Sequence, residues 1–360
     1  MSVLYENDNA IFISHEKYIK TIYESVEKDG NVVSYQANED LFNISHPYVN
    51  KKIVKKKGDD TKEDTKEKFQ ELTCSIGRIK SIYEMVKKEL IERSALLVNL
   101  NDYDAKGNET ALKLSDMIYR ESSECDIEGI KGENQKDVAI NVTLKNTEFL
   151  FPKDCKFYCS NVNVIGDKLG FDNIFDLVII DPPWWNKYIR RKRKKSNDGY
   201  NMLYNNNLLD IPIESLIHDG SLIVVWCTNA KSNINSLKND IFKKWGVEYF
   251  ATWFWLKITK KGETICNFSE PPGKQPFEQI LFAARDVTKF SSIMDGKVVV
   301  SVPSALHSHK PPLNDVLQKF LPKNPKCLEI FARYLLPNTT SYGLEAIKFQ
   351  HISLYKEQSE

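Results

Sequence analysis

Apolar residues along the chain fall into two regimes. Ile79, Ile82, Tyr83, Val86, Leu90 and Ile91 recur at helical spacing, with Lys87, Lys88 and Glu89 on the opposite side, which predicts an amphipathic helix. A second, shorter helical stretch is expected over 111–120. From about residue 138 the period changes. Residues 138–144 alternate, 157–159 read as strand, and Phe175-Asp176-Leu177-Val178-Ile179-Ile180 is almost continuously apolar, as a strand buried on both faces of a parallel sheet must be. Residues 222–226, 249–255, 279–284 and 327–331 repeat that pattern, and helical segments are expected between them at 231–244 and 313–320. Strands alternating with helices predict an α/β, doubly wound sheet, and such sheets bind ligands outside the carboxyl ends of their strands.

The first 70 residues carry little usable periodicity. Lys51-Lys52-Ile53-Val54-Lys55-Lys56-Lys57 is a basic cluster followed by a mixed-charge tract over 58–68, a composition that buries too little apolar area to offset chain entropy. The expected organisation is therefore a flexible N-terminal segment with a Lys-rich linker over 1–70, a helical accessory region over 71–137, and a catalytic domain over 138–360. The lysine cluster reads as a solvated loop, a nuclear-import signal or a phosphate-binding tether.

Charge narrows the classes. Fifty Lys and Arg against 49 Asp and Glu leave a net charge of +1, so a globally basic nucleic-acid coat is excluded and any such footprint is a local patch. Hydrophobic residues at 41% suffice for a sizeable core. No apolar run is long enough for a membrane span, and the polar, acidic N-terminus does not read as a secretory signal. Seven scattered cysteines without a C-x-x-C pair read as buried thiols in a reducing compartment. The His307-x-His309 pair lacks a third ligand, so no metal centre is expected.

The chemistry is concentrated where the 175–180 strand ends, in Asp181-Pro182-Pro183-Trp184. The two prolines fix the backbone and remove two amide donors, leaving carbonyls to accept from a ligand. Trp184 adds a flat wall. A rigid pocket of acceptors beside an aromatic surface suits an exocyclic amino group on a heteroaromatic ring. Adenine N6 is a poor nucleophile because its lone pair is delocalised. Asp181 and the Pro182 carbonyl can each accept one N–H bond and steer that lone pair out of the ring plane, while Trp184 stacks on the base.

By this tetrad the chain resembles the DPPW-type, MT-A70-like N6-adenine methyltransferases, and within them the methyltransferase-like protein 4 branch. The resemblance covers roughly 140–352 and includes Asn186-Lys187, Trp226 with Thr228-Asn229, Trp253-x-Trp255-x-Lys257, Lys274 with Pro276-Phe277-Glu278, His307-x-His309-Lys310-Pro311-Pro312, and Leu328-Glu329-x-Phe331-Ala332-Arg333. It implies a Rossmann-like S-adenosylmethionine-dependent methyltransferase fold in permuted order, a mostly parallel sheet flanked by helices, with a smaller N-terminal accessory region. It also implies S-adenosylmethionine as cofactor, held by Asn161, Val162, Asp181, Lys310, Arg333, Gly343, Leu344 and Glu345. Catalysis falls to Asp181, Pro182, Pro183 and Trp184. Substrate contacts fall to Asn186, Lys187, Arg190, Arg191, Arg193, Trp226, Asn229, Trp255, Lys257, Lys274 and Glu278.

Two positions depart from the pattern. Gly343-Leu344-Glu345 stands where the branch has Gly-Asn-Glu, and loss of one hydrogen bond to the donor ribose is expected to weaken binding by about 0.5–1.5 kcal/mol. Trp185 stands where a polar residue is usual.

Seven of the nine residues over 187–195 are basic. Beside a base-methylating pocket they read as a phosphate clamp, or else as a solvated loop or import signal. The resemblance implies adenine N6 methylation in nucleic acid, RNA more than DNA, with 2′-O-methyladenosine of U2 small nuclear RNA as the specific target. The expected location is the nucleus, with the cytoplasm as the alternative, and the expected state is a monomer with no obligate protein partner and no membrane contact. Two competing readings are a non-catalytic nucleic-acid-binding scaffold and a methyltransferase of side-chain amides.

Overall fold

The computed structural model describes residues 2–48, 69–92, 107–170, 173–184 and 204–358. The strands, in chain order, are β1 (Val3–Glu6), β2 (Ala10–Ile13), β3 (Val26–Lys28), β4 (Asn31–Ala37), β5 (Lys131–Asn134), β6 (Ala139–Leu144), β7 (Thr147–Phe151) and β8 (Cys155–Tyr158). They continue with β9 (Phe175–Ile180), β10 (Ile217–Cys227), β11 (Glu248–Lys257), β12 (Phe277–Ala284), β13 (Val298–Ser301), β14 (Cys327–Ile330), β15 (Thr339–Tyr342) and β16 (Tyr355–Gln358).

Among the described residues, the principal sheet runs β1-β2-β13-β11-β12-β10-β9-β14-β15-β8-β5. Its centre, β10-β9-β14-β15-β8, is parallel throughout. Strand β12 inserts antiparallel between β10 and β11. The alternation of side chains explains the near-continuous apolar runs. Val178, Ile180, Ile223, Val225, Leu328 and Ile330 enter one core with the segments around Ile165, Ile213 and Phe242. Leu177, Ile179, Leu222, Val224, Trp226, Ile280 and Phe282 enter the other with Leu313, Val316 and Leu317. Each such aliphatic side chain contributes about 1.5–3 kcal/mol on burial. The fold is the expected Rossmann-like methyltransferase α/β sheet with helical cover.

The expected flexible segment over 1–70 is corrected for residues 2–48. Strand β2 pairs parallel with β13, Ala10 opposite Val298, and carries β1 into the principal sheet. Strands β3 and β4 join β6, β7 and β16 in a second, five-stranded sheet. Between β2 and β3, the helix His15–Ile22 is capped by Ser14, whose side chain accepts from the Lys17 amide at 3.1 Å. The 138–360 boundary is corrected with it, because the sheet of that domain also takes β1, β2 and β5. The Lys-rich cluster at 51–57 lies outside the described residues.

The two accessory helices are present as Gln70–Glu92 and Gly107–Glu124. Ile79, Ile82, Tyr83, Val86 and Leu90 pack against Phe12, Phe254, Val298 and Val300, whereas Ile91 faces outward. No helix among the described residues is long and apolar enough to cross a membrane.

Candidate active site

Topology brings the chemistry to one edge of the sheet. Because β8, β15, β14, β9 and β10 are parallel, Asn161, Gly343 to Glu345, Phe331 to Arg333, Asp181 and Asn229 all follow carboxyl ends on that edge. Strand β11 has the same sense, so Lys257 ends there, and the reversed β12 starts there with Glu278 opposite Trp255.

A cavity of 1260 Å³ opens at this edge, lined by Asp181, Pro182, Trp184, Trp226, Asn229, Trp255, Lys257, Lys274, Glu278 and Lys310 among others. Its polar centre is a chain of alternating charges. Lys310 Nζ lies 2.8 Å from Glu278 Oε2 and 3.4 Å from Asp181 Oδ1, and Lys257 pairs with the other Glu278 oxygen. The rings of Trp226 and Trp255 meet edge to face at 5.4 Å and flank the lysines. Burial alone pushes the Glu278 carboxyl up, but Lys257 and Lys310 outweigh it and hold the group well below the usual carboxylate range. Burial likewise penalises the Lys310 ammonium, and Asp181 and Glu278 overturn that, leaving it firmly charged. Asp181 ends above its ordinary value because burial wins over the opposing pull of Lys310.

Several expected roles change on this geometry. Trp184 is only 7% exposed, and its indole N–H donates to the Trp226 carbonyl at 2.8 Å, so it is a fixed wall packed into the core and not an open stacking platform. The Pro182 carbonyl already accepts from the Trp184 amide at 2.8 Å, leaving one lone pair for a ligand. Pro183 is half-buried. Asn229 donates to the Phe277 carbonyl at 2.7 Å and accepts from Gln279 at 3.2 Å, which makes it a brace between β10 and β12. Lys310, expected among the residues that hold the donor, is committed to Asp181 and Glu278. Lys274 is exposed at the cavity. Trp185, Asn186, Lys187, Arg190, Arg191 and Arg193 lie outside the described residues.

Of the residues expected around the donor, Asp181 and Lys310 line this cavity, whereas Asn161, Val162, Arg333, Gly343, Leu344 and Glu345 lie outside its lining. Arg333 Nε lies 3.1 Å from Glu345 Oε2, and Lys348 Nζ lies 2.5 Å from the other oxygen. Burial raises the Glu345 carboxyl, but those two cations bring it below its ordinary value. Gly343 fits closely there, since a Cβ would stand 3.0 Å from the backbone N and O of Ala332. Asn161 is exposed and its side-chain oxygen accepts from the Asn163 amide at 3.0 Å. Val162 is buried, so only its backbone is available to a ligand. Leu344 is 39% exposed.

Sequence comparison agrees with this arrangement. The MT-A70 family profile matches residues 175–345, from the start of β9 through Glu345. The Caenorhabditis elegans DNA N6-methyl methyltransferase is 32% identical over 365 aligned positions, 94% of this chain and 95% of its own length. The chain belongs to the MT-A70 family. The mouse N(6)-adenine-specific methyltransferase METTL4 is 34% identical over 233 residues, 62% of this chain and 48% of its own. The Cryphonectria parasitica N6-methyladenosine RNA methyltransferase MTA1 is 35% identical over 210 residues, 57% of this chain and 62% of its own. The match thus spans about half the length of the mouse relative and nearly all of the nematode one.

This MT-A70 site contains residues to which the sequence assigned no role. His307 lies between the two halves: burial, then the charges of Arg333 and Lys310, lower its imidazole to about 4, and its carbonyl faces Arg333 Nη1 at 3.5 Å. Glu329 is a buried carboxyl pushed up to about 8 by burial and by Asp181. An acid inside the four-residue apolar strand β14 was the available signal. Phe331 takes φ +64°, a left-handed conformation costly for a bulky residue, at the turn that carries Arg333. Periodicity carries no trace of it.

Proposed function

We propose that this MT-A70 chain transfers a methyl group from S-adenosylmethionine to the N6 amino group of adenine in a nucleic acid. The observation that carries the reading is the pair of acceptors at the end of β9, the Asp181 carboxylate and the free lone pair of the Pro182 carbonyl, with Lys310 at 3.4 Å from the carboxylate. Two acceptors on one amino group hold both N–H bonds and turn the nitrogen lone pair out of the ring plane. Asp181 then lies where it takes the proton that the alkylated nitrogen sheds. Lys310 favours the ionised form of Asp181 throughout.

S-adenosylmethionine, when bound, supplies a methyl group on a positively charged sulfur. The strand ends beside Asp181 fit such a donor by their chemistry. Arg333 would offer a cation to its carboxylate, Asn161 a polar side chain to its adenine, and the exposed Leu344 an apolar contact. Glu345, paired with Arg333, holds the guanidinium in place.

Within the class of nucleic-acid adenine, RNA is the first reading, with 2′-O-methyladenosine of U2 small nuclear RNA in the nucleus as its specific form. DNA is the second, favoured by the nematode relative, a DNA N6-methyl methyltransferase that aligns along nearly the whole chain. Nucleoside mass spectrometry after incubating the protein with donor and matched RNA or DNA oligonucleotides, with and without a 2′-O-methyl on the target, tests all three. N6-methyladenosine from RNA alone supports the first reading, and product from DNA alone the second. Absence of product from every oligonucleotide, with no heat of donor binding, would point to a scaffold.

A further inference from the structure

The cavity that holds Asp181 has a second, chemically different lining. Tyr48, Phe69, Leu72 and Leu112, all from the accessory segments, reach it alongside the charged residues of the sheet edge. Leu112 is 44% exposed, and Tyr48, Phe69 and Leu72 are half-buried. Large apolar side chains left open on one wall of a ligand cavity mark a contact surface.

This wall is built firmly. The Tyr48 amide donates to the Ile265 carbonyl at 2.7 Å, and the Lys260 amide donates to the Ile44 carbonyl at 2.8 Å, so the 44–48 stretch is tied along the turn that follows β11. Asn108 accepts from the Ser45 amide at 2.8 Å and donates to the His46 carbonyl at 2.7 Å, and Ser115 Oγ donates to the Ala305 carbonyl at 3.0 Å. The Asn108 bonds fix the helix bearing Leu112 against the same stretch, and the Ser115 bond fixes it against the segment around Ala305. Side chains on so braced a frame are positioned for recognition.

Size argues that the target base is not the whole occupant. A cavity of 1260 Å³ exceeds the roughly 300–1,000 Å³ of sites that enclose an entire small ligand. A nucleic-acid strand that delivers one adenine to Asp181 brings its neighbours with it. Every base offers a π-face, and aromatic or apolar side chains take that face without regard to sequence. Lys274, exposed at the same cavity, supplies a positive charge for the backbone between the two bases.

We infer that Tyr48, Phe69, Leu72 and Leu112 hold a nucleobase adjacent to the target adenine, so that the accessory region contributes substrate contacts to the catalytic cavity. The inference rests on the nucleic-acid reading above.

The test uses the full chain and an oligonucleotide carrying 2-aminopurine on the 5′ or the 3′ side of the target adenine. Stacking on the wall quenches the probe at one of the two positions when wild-type protein binds. Tyr48→Ala and Phe69→Ala should each lose that quenching and raise KM for the oligonucleotide about five- to hundredfold. Tyr48→Phe, which keeps the ring, should retain both. Donor titration equal to wild type shows that the variants are folded. Quenching that survives both alanine variants, or is missing at both positions in a wild type that methylates, overturns the wall and leaves the enzymatic reading intact. A wild type that binds no oligonucleotide overturns both. Wild-type self-association that Leu112→Ser abolishes would give the wall to a second copy instead and overturn the inference.

Discussion

Lys310 Nζ lies 3.4 Å from Asp181 Oδ1, and the same ammonium is bonded to Glu278 at 2.8 Å. Asp181 is 18% exposed, so its carboxyl is already pushed up by burial, and Lys310 is the group that opposes the push most. The mechanism needs Asp181 ionised to accept an N–H bond. The sign follows directly. Removing Lys310 raises the Asp181 pKa further, and the acid limb of the rate profile moves to higher pH. For Lys310→Met a displacement of about one to three pH units is expected, the usual effect of a neighbouring opposite charge on a carboxylate. Lys310→Arg keeps the charge and should keep the limb near its wild-type position. A kcat–pH series on the three proteins checks it, and a limb that does not move in Lys310→Met would contradict the coupling.

At Leu344 the structure decides between two opposed expectations. A polar amide introduced into a packed site costs about 1–3 kcal/mol when unsatisfied. Leu344 is 39% exposed, so an asparagine there keeps access to water and escapes that penalty. Leu344→Asn is therefore predicted to tighten S-adenosylmethionine binding by about 0.5–1.5 kcal/mol, roughly two- to twelvefold in Kd. Calorimetric titration of variant and wild type measures it. Weaker binding by the variant would show that residue 344 does not face the donor.

Gly343 and Phe331 form one construction. Phe331 turns left-handed after β14, and Gly343, following β15, lets the two backbones approach until a Cβ would stand 3.0 Å from Ala332 N and O. Backbone cannot yield as a flexible side chain does. Gly343→Ala should lower stability by about 1–3 kcal/mol, the range for overpacking. It should also loosen donor binding, because Arg333 hangs from the displaced turn. Denaturant unfolding and donor titration would reveal both, and unchanged values in the two would show that the turn relaxes freely.

Much of the principal sheet was legible because its centre is buried on both faces, and such strands announce themselves as apolar runs. Phe175 to Ile180 and the acid that ends it needed no further information. The N-terminal strands were not legible. Ala10 to Ile13 is four apolar residues whose partner, β13, lies far along the chain, so no local period distinguishes it from a loop contact. The site divides the same way. Asp181 followed from its place at a strand end, whereas the commitment of Lys310 to Glu278 and Asp181 is set by the reversal of β12. The burial of Trp184 depends on the Trp226 carbonyl beneath its indole, a tertiary contact that motif position does not encode.

In the proposed reaction Asp181 acts on the target amine. Asp181→Ala leaves Lys310 its 2.8 Å bond to Glu278 and removes no apolar core side chain, so fold and donor binding should persist. Single-turnover methyl transfer to one adenine-containing oligonucleotide, measured for wild type and Asp181→Ala beside a donor titration of each, tests the claim most directly. The predicted result is largely retained donor affinity with transfer slowed by about 10²–10³ or lost altogether. Near-normal transfer by the variant would contradict the role assigned to Asp181 and, with it, the proposed mechanism.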